Sequence, residues 1–276
     1  MAWRAAAYGV LTTAGAEAKA QAALLASTAR GKDAGCNTFP SARPARPTAP
    51  ALVAPRDVPR RRLGTAAGRT GLLHALAHIE LNAVDLAFDM ALRFAGEIDR
   101  AGLDSGAFVA DWVGVGHEEA SHFLMLNARL QALGSHYGAL PAHDGLWEAA
   151  EATGDSALAR LAIAPMVLEA RGLDVTPGMA ARLRAAGDKE SAAILDRIFA
   201  DEIGHVAIGV RWFTRLCAAR GLEPGAAFEG LVADRFRGGL KPPFNEAARN
   251  EAGLAPAFYA RWNNPCASSP PGLPDC

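Results

Sequence analysis

From Thr65 onward the chain carries four amphipathic stripes, and each is interrupted by a glutamate where an apolar side chain belongs. Apolar residues there recur at spacings of three and four, the pattern of helices that bury one face. The first stretch, Thr70 to Arg100, sets Glu80 among Leu76, Ile79, Ala83, Val84 and Ala87. The second has Asp104 or Ser105 as a cap, ends near Gly134, and aligns Val115, Glu119, His122, Leu126 and Leu130. The third, Trp147 to Gly172 with a break at Gly154, aligns Leu158, Ala162, Pro165 and Glu169. The fourth starts at Asp188, runs to Arg220 with Gly221 past its end, and aligns Ile194, Ile198, Glu202, His205, Trp212 and Leu216. Four such helices with medium connections predict an all-α bundle.

A carboxylate buried without a partner costs several kcal/mol, and several together repel one another, so the pattern demands a source of positive charge. Few arginines lie on these faces. Two of the glutamates are followed three residues later by histidine, in Glu119-Ala120-Ser121-His122 and Glu202-Ile203-Gly204-His205. Positions i and i+3 lie about 60° apart around a helix, so such a pair can reach one metal ion. With 14 glutamates and 7 histidines in 276 residues, about 0.4 such pairs arise by chance, so one pair alone would mean little. Two pairs, each preceded by a helix with a single core-facing glutamate, are the inventory of a carboxylate-bridged two-metal site inside four helices. Two divalent cations would balance the four carboxylates. The ligand set is thus Glu80, Glu119, His122, Glu169, Glu202 and His205, with iron or manganese suited to its oxygen and imidazole donors. The alternative is two chance pairs satisfied by arginine or water.

Several neighbours carry weaker signals. Glu118 and Asp201 precede ligand glutamates and are candidates to hydrogen-bond a metal-bound imidazole; a solvent-facing position on the helix flank is the alternative. His78 lies about 160° from Glu80 on its helix and reads as a structural histidine. His143 and Asp144 sit in the loop Ser135 to Gly145 and are candidates to line an access channel. Pro165, one turn before Glu169, removes a backbone donor and predicts either a distorted helix or a helix start. Thr176-Pro177 reads as a new helix start, closed at Gly187.

The rest divides into a helical segment 1–30, a proline- and arginine-rich extended arm 31–64, the bundle 65–262 with an extra C-terminal helical part, and a disordered tail 263–276. A net charge of −1 argues against generic nucleic-acid binding, although Arg56, Arg60, Arg61 and Arg62 make the arm locally basic. Four cysteines without a CxxC pair suggest a reducing compartment, and no apolar run suits a membrane span. A cytoplasmic protein is expected, not bound to a membrane.

The stretches Ala77-His78-Ile79-Glu80-Leu81, Pro141-Ala142-His143-Asp144-Gly145-Leu146-Trp147, Leu168-Glu169-Ala170-Arg171-Gly172-Leu173-Asp174-Val175-Thr176-Pro177 and Asp201-Glu202-Ile203-Gly204-His205 resemble the bacterial ferritin-like family catalogued as domain of unknown function 455. The resemblance covers nearly the whole chain. It implies a ferritin-like four-helix bundle, a di-iron-type site (Fe/Fe, with Mn/Fe or Mn/Mn as alternatives) and no settled reaction. In ferritin-like relatives such sites serve O2-dependent oxidoreductases, which need an organic small-molecule substrate and an electron donor. Ferroxidase or iron-handling activity is the second implication and hydroxylation of a modified tRNA base the third. A chain with a long arm and an irregular C-terminal third fits a storage cage poorly, whereas a homodimer is compatible with it.

Overall fold

A computed structural model describes residues 3–27, 43–58, 63–237 and 239–263. Two short helices, α1 (Trp3–Thr12) and α2 (Ala16–Leu24), precede the arm. The first long helix, α3 (Ala66–Arg100), begins where the Thr65 hydroxyl accepts the Gly68 N–H at 3.0 Å. Asp104 caps α4 (Ser105–Ala132) in the same way, through the Ala107 N–H at 2.9 Å. After α5 (Gly145–Ala152), Ser156 caps α6 (Ala157–Ile163), and a wider π turn, Ala164–Glu169, leads into α7 (Ala170–Ala185). Asp188 caps α8 (Lys189–Ala219), which Gly221 terminates at a φ of 66°. Two further helices, α9 (Pro224–Arg235) and α10 (Glu246–Glu251), complete the order.

Four long helical segments build the core. Helix α3 packs along α4, the π turn and α7 pack along α8, and the two pairs join where α8 meets α4 and α6 meets α3. Apolar side chains fill this interior with very little accessible surface, among them Phe88, Phe123, Trp112, Trp212 and Phe213. Helices α1 and α2 lie on α3 and α4. The arm is pinned by backbone bonds from Ala45 N to Leu11 O at 2.8 Å and from Val53 N to Ala142 O at 2.8 Å. The described residues contain no strand, only an isolated bridge between Leu52 and Ala142. Arg60, Arg61 and Arg62, and the tail beyond Asn263, lie outside the described residues.

The third core segment departs from expectation. Pro177 does not start a helix; it sits inside α7. Proline has no N–H, so the Leu173 carbonyl four residues earlier loses its helical partner. The Asn245 side-chain amide replaces it, donating to Leu173 O at 3.1 Å, while Asn245 Oδ1 also accepts from Ala248 N at the start of α10. The C-terminal segment therefore allows α7 to run through its proline. Upstream, Pro165 falls in the π turn, where the Ala170 N–H reaches back five residues to Pro165 O. The proline ring presses on α8 at Gly209, where a Cβ would lie 2.5 Å from its Cβ and Cγ. Only glycine leaves room there.

Candidate metal centre

Four core segments each send one glutamate to the same place. Glu80 comes from α3, Glu119 from α4, Glu169 from the end of the π turn, and Glu202 from α8. Ligand-capable atoms of Glu80, Glu119, His122 and Glu202 all lie within 4.8 Å of one another, and all four residues are buried. Glu119 occupies the centre. Its Oε1 is 3.1 Å from His205 Nδ1 and its Oε2 is 3.5 Å from His122 Nδ1. Glu80 Oε2 meets His122 Nδ1 at 3.1 Å, and Glu202 Oε2 stands 3.6 Å from His205 Nδ1. Glu169 lines the same cavity as Glu80, Glu119 and Glu202.

The two imidazoles face each other with ring centres 5.9 Å apart, and each shows Nδ1 to the carboxylates. Their outer nitrogens go to acids of the opposite pair. His122 Nε2 bonds Asp201 at 3.1 Å, and His205 Nε2 bonds Glu118 at 2.8 Å. Asp201 also accepts from Arg197 Nε at 2.7 Å. Such acids hold the rings in orientation and keep Nδ1 pointed inward.

The electrostatics of the bare site are strained. Burial raises Glu80, Glu169 and Glu202 above the usual carboxyl range, and neighbouring carboxylates push in the same direction. Burial would also raise Glu119, but the two histidines on its oxygens outweigh this and hold it ionised. Burial lowers His122, yet the Glu119 and Glu80 carboxylates at its Nδ1 push it up to about 11. His205 is raised for the same kind of reason, chiefly by the Glu119 charge. Asp201 ends below its ordinary value because bonds to His122 and Arg197 overcome its burial.

The donor set fits a metal. Both Glu119 oxygens, Glu169 Oε2, Glu202 Oε2 and His205 Nδ1 are buried without a hydrogen-bond partner, and the three glutamates line one cavity. Orphaned acceptors of this kind are rare and expensive in a core, whereas a divalent cation satisfies several at once. Among the described residues no lysine or arginine pairs with Glu80, Glu119, Glu169 or Glu202.

Other candidates sort out differently. His78 is satisfied structurally, with Nδ1 on the Tyr137 hydroxyl at 2.8 Å and Nε2 at 3.1 Å from His143 O. His143 and Asp144 do not line the cavity that reaches the carboxylates. His143 borders a cavity of about 60 Å3 with His74 and His78, which meets the carboxylate cavity at Ala75, Ile79 and Leu146, and Asp144 pairs with Arg43 of the arm. Sequence reasoning missed Arg171, which reaches the carboxylate cavity from α7. The only signal for it was its place in the Leu168 to Pro177 stretch, where no role attached to it.

An all-α chain with a buried glutamate–histidine cluster fitted to a metal is the class that this fold and site define. The chain belongs to the family described as Protein of unknown function (DUF455), which matches residues 11–260. It is similar to an uncharacterized protein of Haemophilus influenzae (strain ATCC 51907 / DSM 11121 / KW20 / Rd). The two are 44% identical over 208 residues, which span 75% of this chain and 72% of the relative. No solved structure matches it. No helix among the described residues is long and apolar enough to cross a membrane.

Proposed function

We propose that this chain is a ferritin-like di-iron carboxylate protein, with Mn/Fe or Mn/Mn the alternative metals, acting as a cytoplasmic O2-dependent oxidoreductase on an organic substrate. Glu80, Glu119, His122, Glu169, Glu202 and His205 would hold the two ions. Bound there, the ions supply Lewis acidity and one-electron chemistry toward O2, with electrons from an external donor. The protein's part is to hold and orient. Glu119, with one oxygen toward each histidine, would be shared between the two histidine-bearing halves of the site. Asp201 and Glu118 keep the two rings turned inward and accept the Nε2 protons.

The observation that carries this reading is the set of buried, partnerless carboxylate oxygens opening into an apolar cavity. The cavity favours an organic substrate over iron storage, because a mineralising surface needs polar acids along an ion path. Two measurements test it. Elemental analysis after anaerobic iron loading and desalting should give about two ions per chain, and one or fewer would overturn the two-metal reading. With excess ferrous iron under air, uptake should stop near that same ratio. Uptake that continues to tens of ions, with a growing mineral absorbance, would move the assignment to iron handling.

A further inference from the structure

Above the carboxylates lies a cavity of about 370 Å3 whose chemistry is unlike that of its floor. Its floor is Glu80, Glu119, Glu169 and Glu202. Its walls are apolar, with Leu76 and Ile79 from α3, Leu168 from the π turn, Val175 and Met179 from α7, and Leu195 from α8. Ile79 is 38% exposed, which places it at the rim. The sole cationic side chain in this wall, among the described residues, is Arg171.

Arg171 also lines an adjoining cavity of about 190 Å3, together with Arg237, Lys241 and Arg249. The one acid there, Asp174, is already matched. Arg249 takes both its oxygens at 2.8 Å, through Nε and Nη2. Positive charge is therefore in excess at this end. Arg171 Nη1 donates to Lys241 O at 2.8 Å and lies 3.5 Å from Asp174 Oδ2, while its Nε and Nη2 engage no hydrogen bond among the described residues. A planar donor edge is thus held in place at the junction of the two cavities.

The resulting field has a direction. Arg171 is the one cation in an otherwise apolar wall, so an anionic head is drawn to the arginine end and the rest of the ligand is left to the apolar walls. Its apolar part gains by leaving water for walls of leucine, isoleucine, valine and methionine. At about 30 Å3 per heavy atom the cavity holds on the order of a dozen non-hydrogen atoms. We infer that it takes an amphipathic organic anion of about that size, its charged head on Arg171 and its apolar body reaching toward Glu80 and Glu169. This inference rests on the proposed function only for what happens to the ligand; binding itself needs the cavity and Arg171.

The test is calorimetric titration of the full chain, metal-loaded and chelated, with decanoate, decyl phosphate, decanol and decyltrimethylammonium below their micelle concentrations. Decanoate should bind one per chain in both forms, and decanol about tenfold or more weaker. The quaternary ammonium should not compete with decanoate. Decyl phosphate reports whether the head site prefers carboxylate or phosphate; binding of either above decanol supports the anion site. Arg171→Gln should weaken decanoate about tenfold while leaving decanol and metal content unchanged. Ile79→Trp at the rim should weaken both decanoate and decanol by crowding the entrance, with Ala83→Leu as a second filling variant. Equal affinity for decanoate and decanol, or equal losses of both in Arg171→Gln, would overturn the inference. So would decanoate binding untouched by both filling variants. Binding that persists in a chain failing the two-metal test would leave the cavity assignment standing and the di-iron reading fallen; two metals without decanoate binding would do the reverse.

Discussion

Helix α3 buries acids in two places and treats them in opposite ways. Asp85 and Asp89 each meet cations. Lys19 Nζ lies 2.5 Å from Asp85 Oδ1, with Arg46 Nε 3.2 Å from Oδ2, and Asp89 receives Arg160 at 2.7 Å and Arg93 at 2.6 Å. Little more than a turn before Asp85, Glu80 meets Glu119 and a histidine instead. The first group ties elements together: Lys19 brings α2 and, through Ala45 O at 2.7 Å, the arm onto α3, and Arg160 brings α6. The second crowds carboxylates from different helices against one another, with only two histidines between them. Burial alone says little about an acid's role; what neutralises it says much more.

The largest expected effect comes from breaking the paired group. Arg160→Met leaves Asp89 with Arg93 alone and strips donors from Thr153 and the Ala150 carbonyl. It should cost about 3–5 kcal/mol in urea unfolding, read also as a Tm drop on the order of 10 °C. A loss below about 1 kcal/mol would show that the paired group is not structural.

The next effect separates the two groups by pH. In the metal-free cluster His122 is pushed up to about 11 and His205 is raised, so the folded state keeps protons that the unfolded chain releases. Stability from this source is complete below the unfolded histidine value and fades as pH rises toward the folded one. Chelated protein should therefore lose stability between about pH 7 and pH 9. The metal-loaded form should not, because the ions replace those protons, so the Tm gap between the two forms should widen with pH. His74 and His78, both lowered to about 4 by burial, titrate well below this window when folded and leave it undisturbed. A gap that narrows as pH rises would contradict the proton assignment.

Smaller effects sharpen the picture within the cluster. Asp201→Asn and Glu118→Gln should each retain metal but bind it about 10–100-fold less tightly. Asp201 should have the larger effect, since its side chain is 16% exposed against 50% for Glu118. A competition titration with a coloured chelator reads this, and wild-type affinity in Asp201→Asn would remove that residue from the site. The smallest stability effect is Glu169→Gln. A neutral amide replaces a carboxyl that burial already keeps protonated, so chelated protein should change by less than about 1 kcal/mol. The same variant should lose metal. Destabilisation by several kcal/mol without metal would place Glu169 among the paired acids instead.

Spacing within one helix was legible from the residues. The three-residue step from Glu119 to His122 and from Glu202 to His205 selects one face, and apolar neighbours at spacings of three and four say that this face is buried. Caps were legible for the same reason: Asp104 and Asp188 act on backbone only three residues away. The third core segment was not. Pro177 reads locally as a start and becomes an interior residue only because Asn245, far along the chain, supplies the missing donor.

The sequence by itself determined that this protein is helical, where α4 and α8 begin and end, and that each core segment carries a glutamate on its apolar stripe. These follow from interactions over three or four residues, which a periodicity records. Only the tertiary structure decided which acids meet cations and which meet one another. It also decided that Asp201 and Glu118 cross to the opposite histidines, and that Arg171 stands at the mouth of an apolar cavity. Those outcomes depend on how far one helix slides and turns against the next, and a shift of one turn, about 5.4 Å, would exchange every such partner without altering a single local pattern.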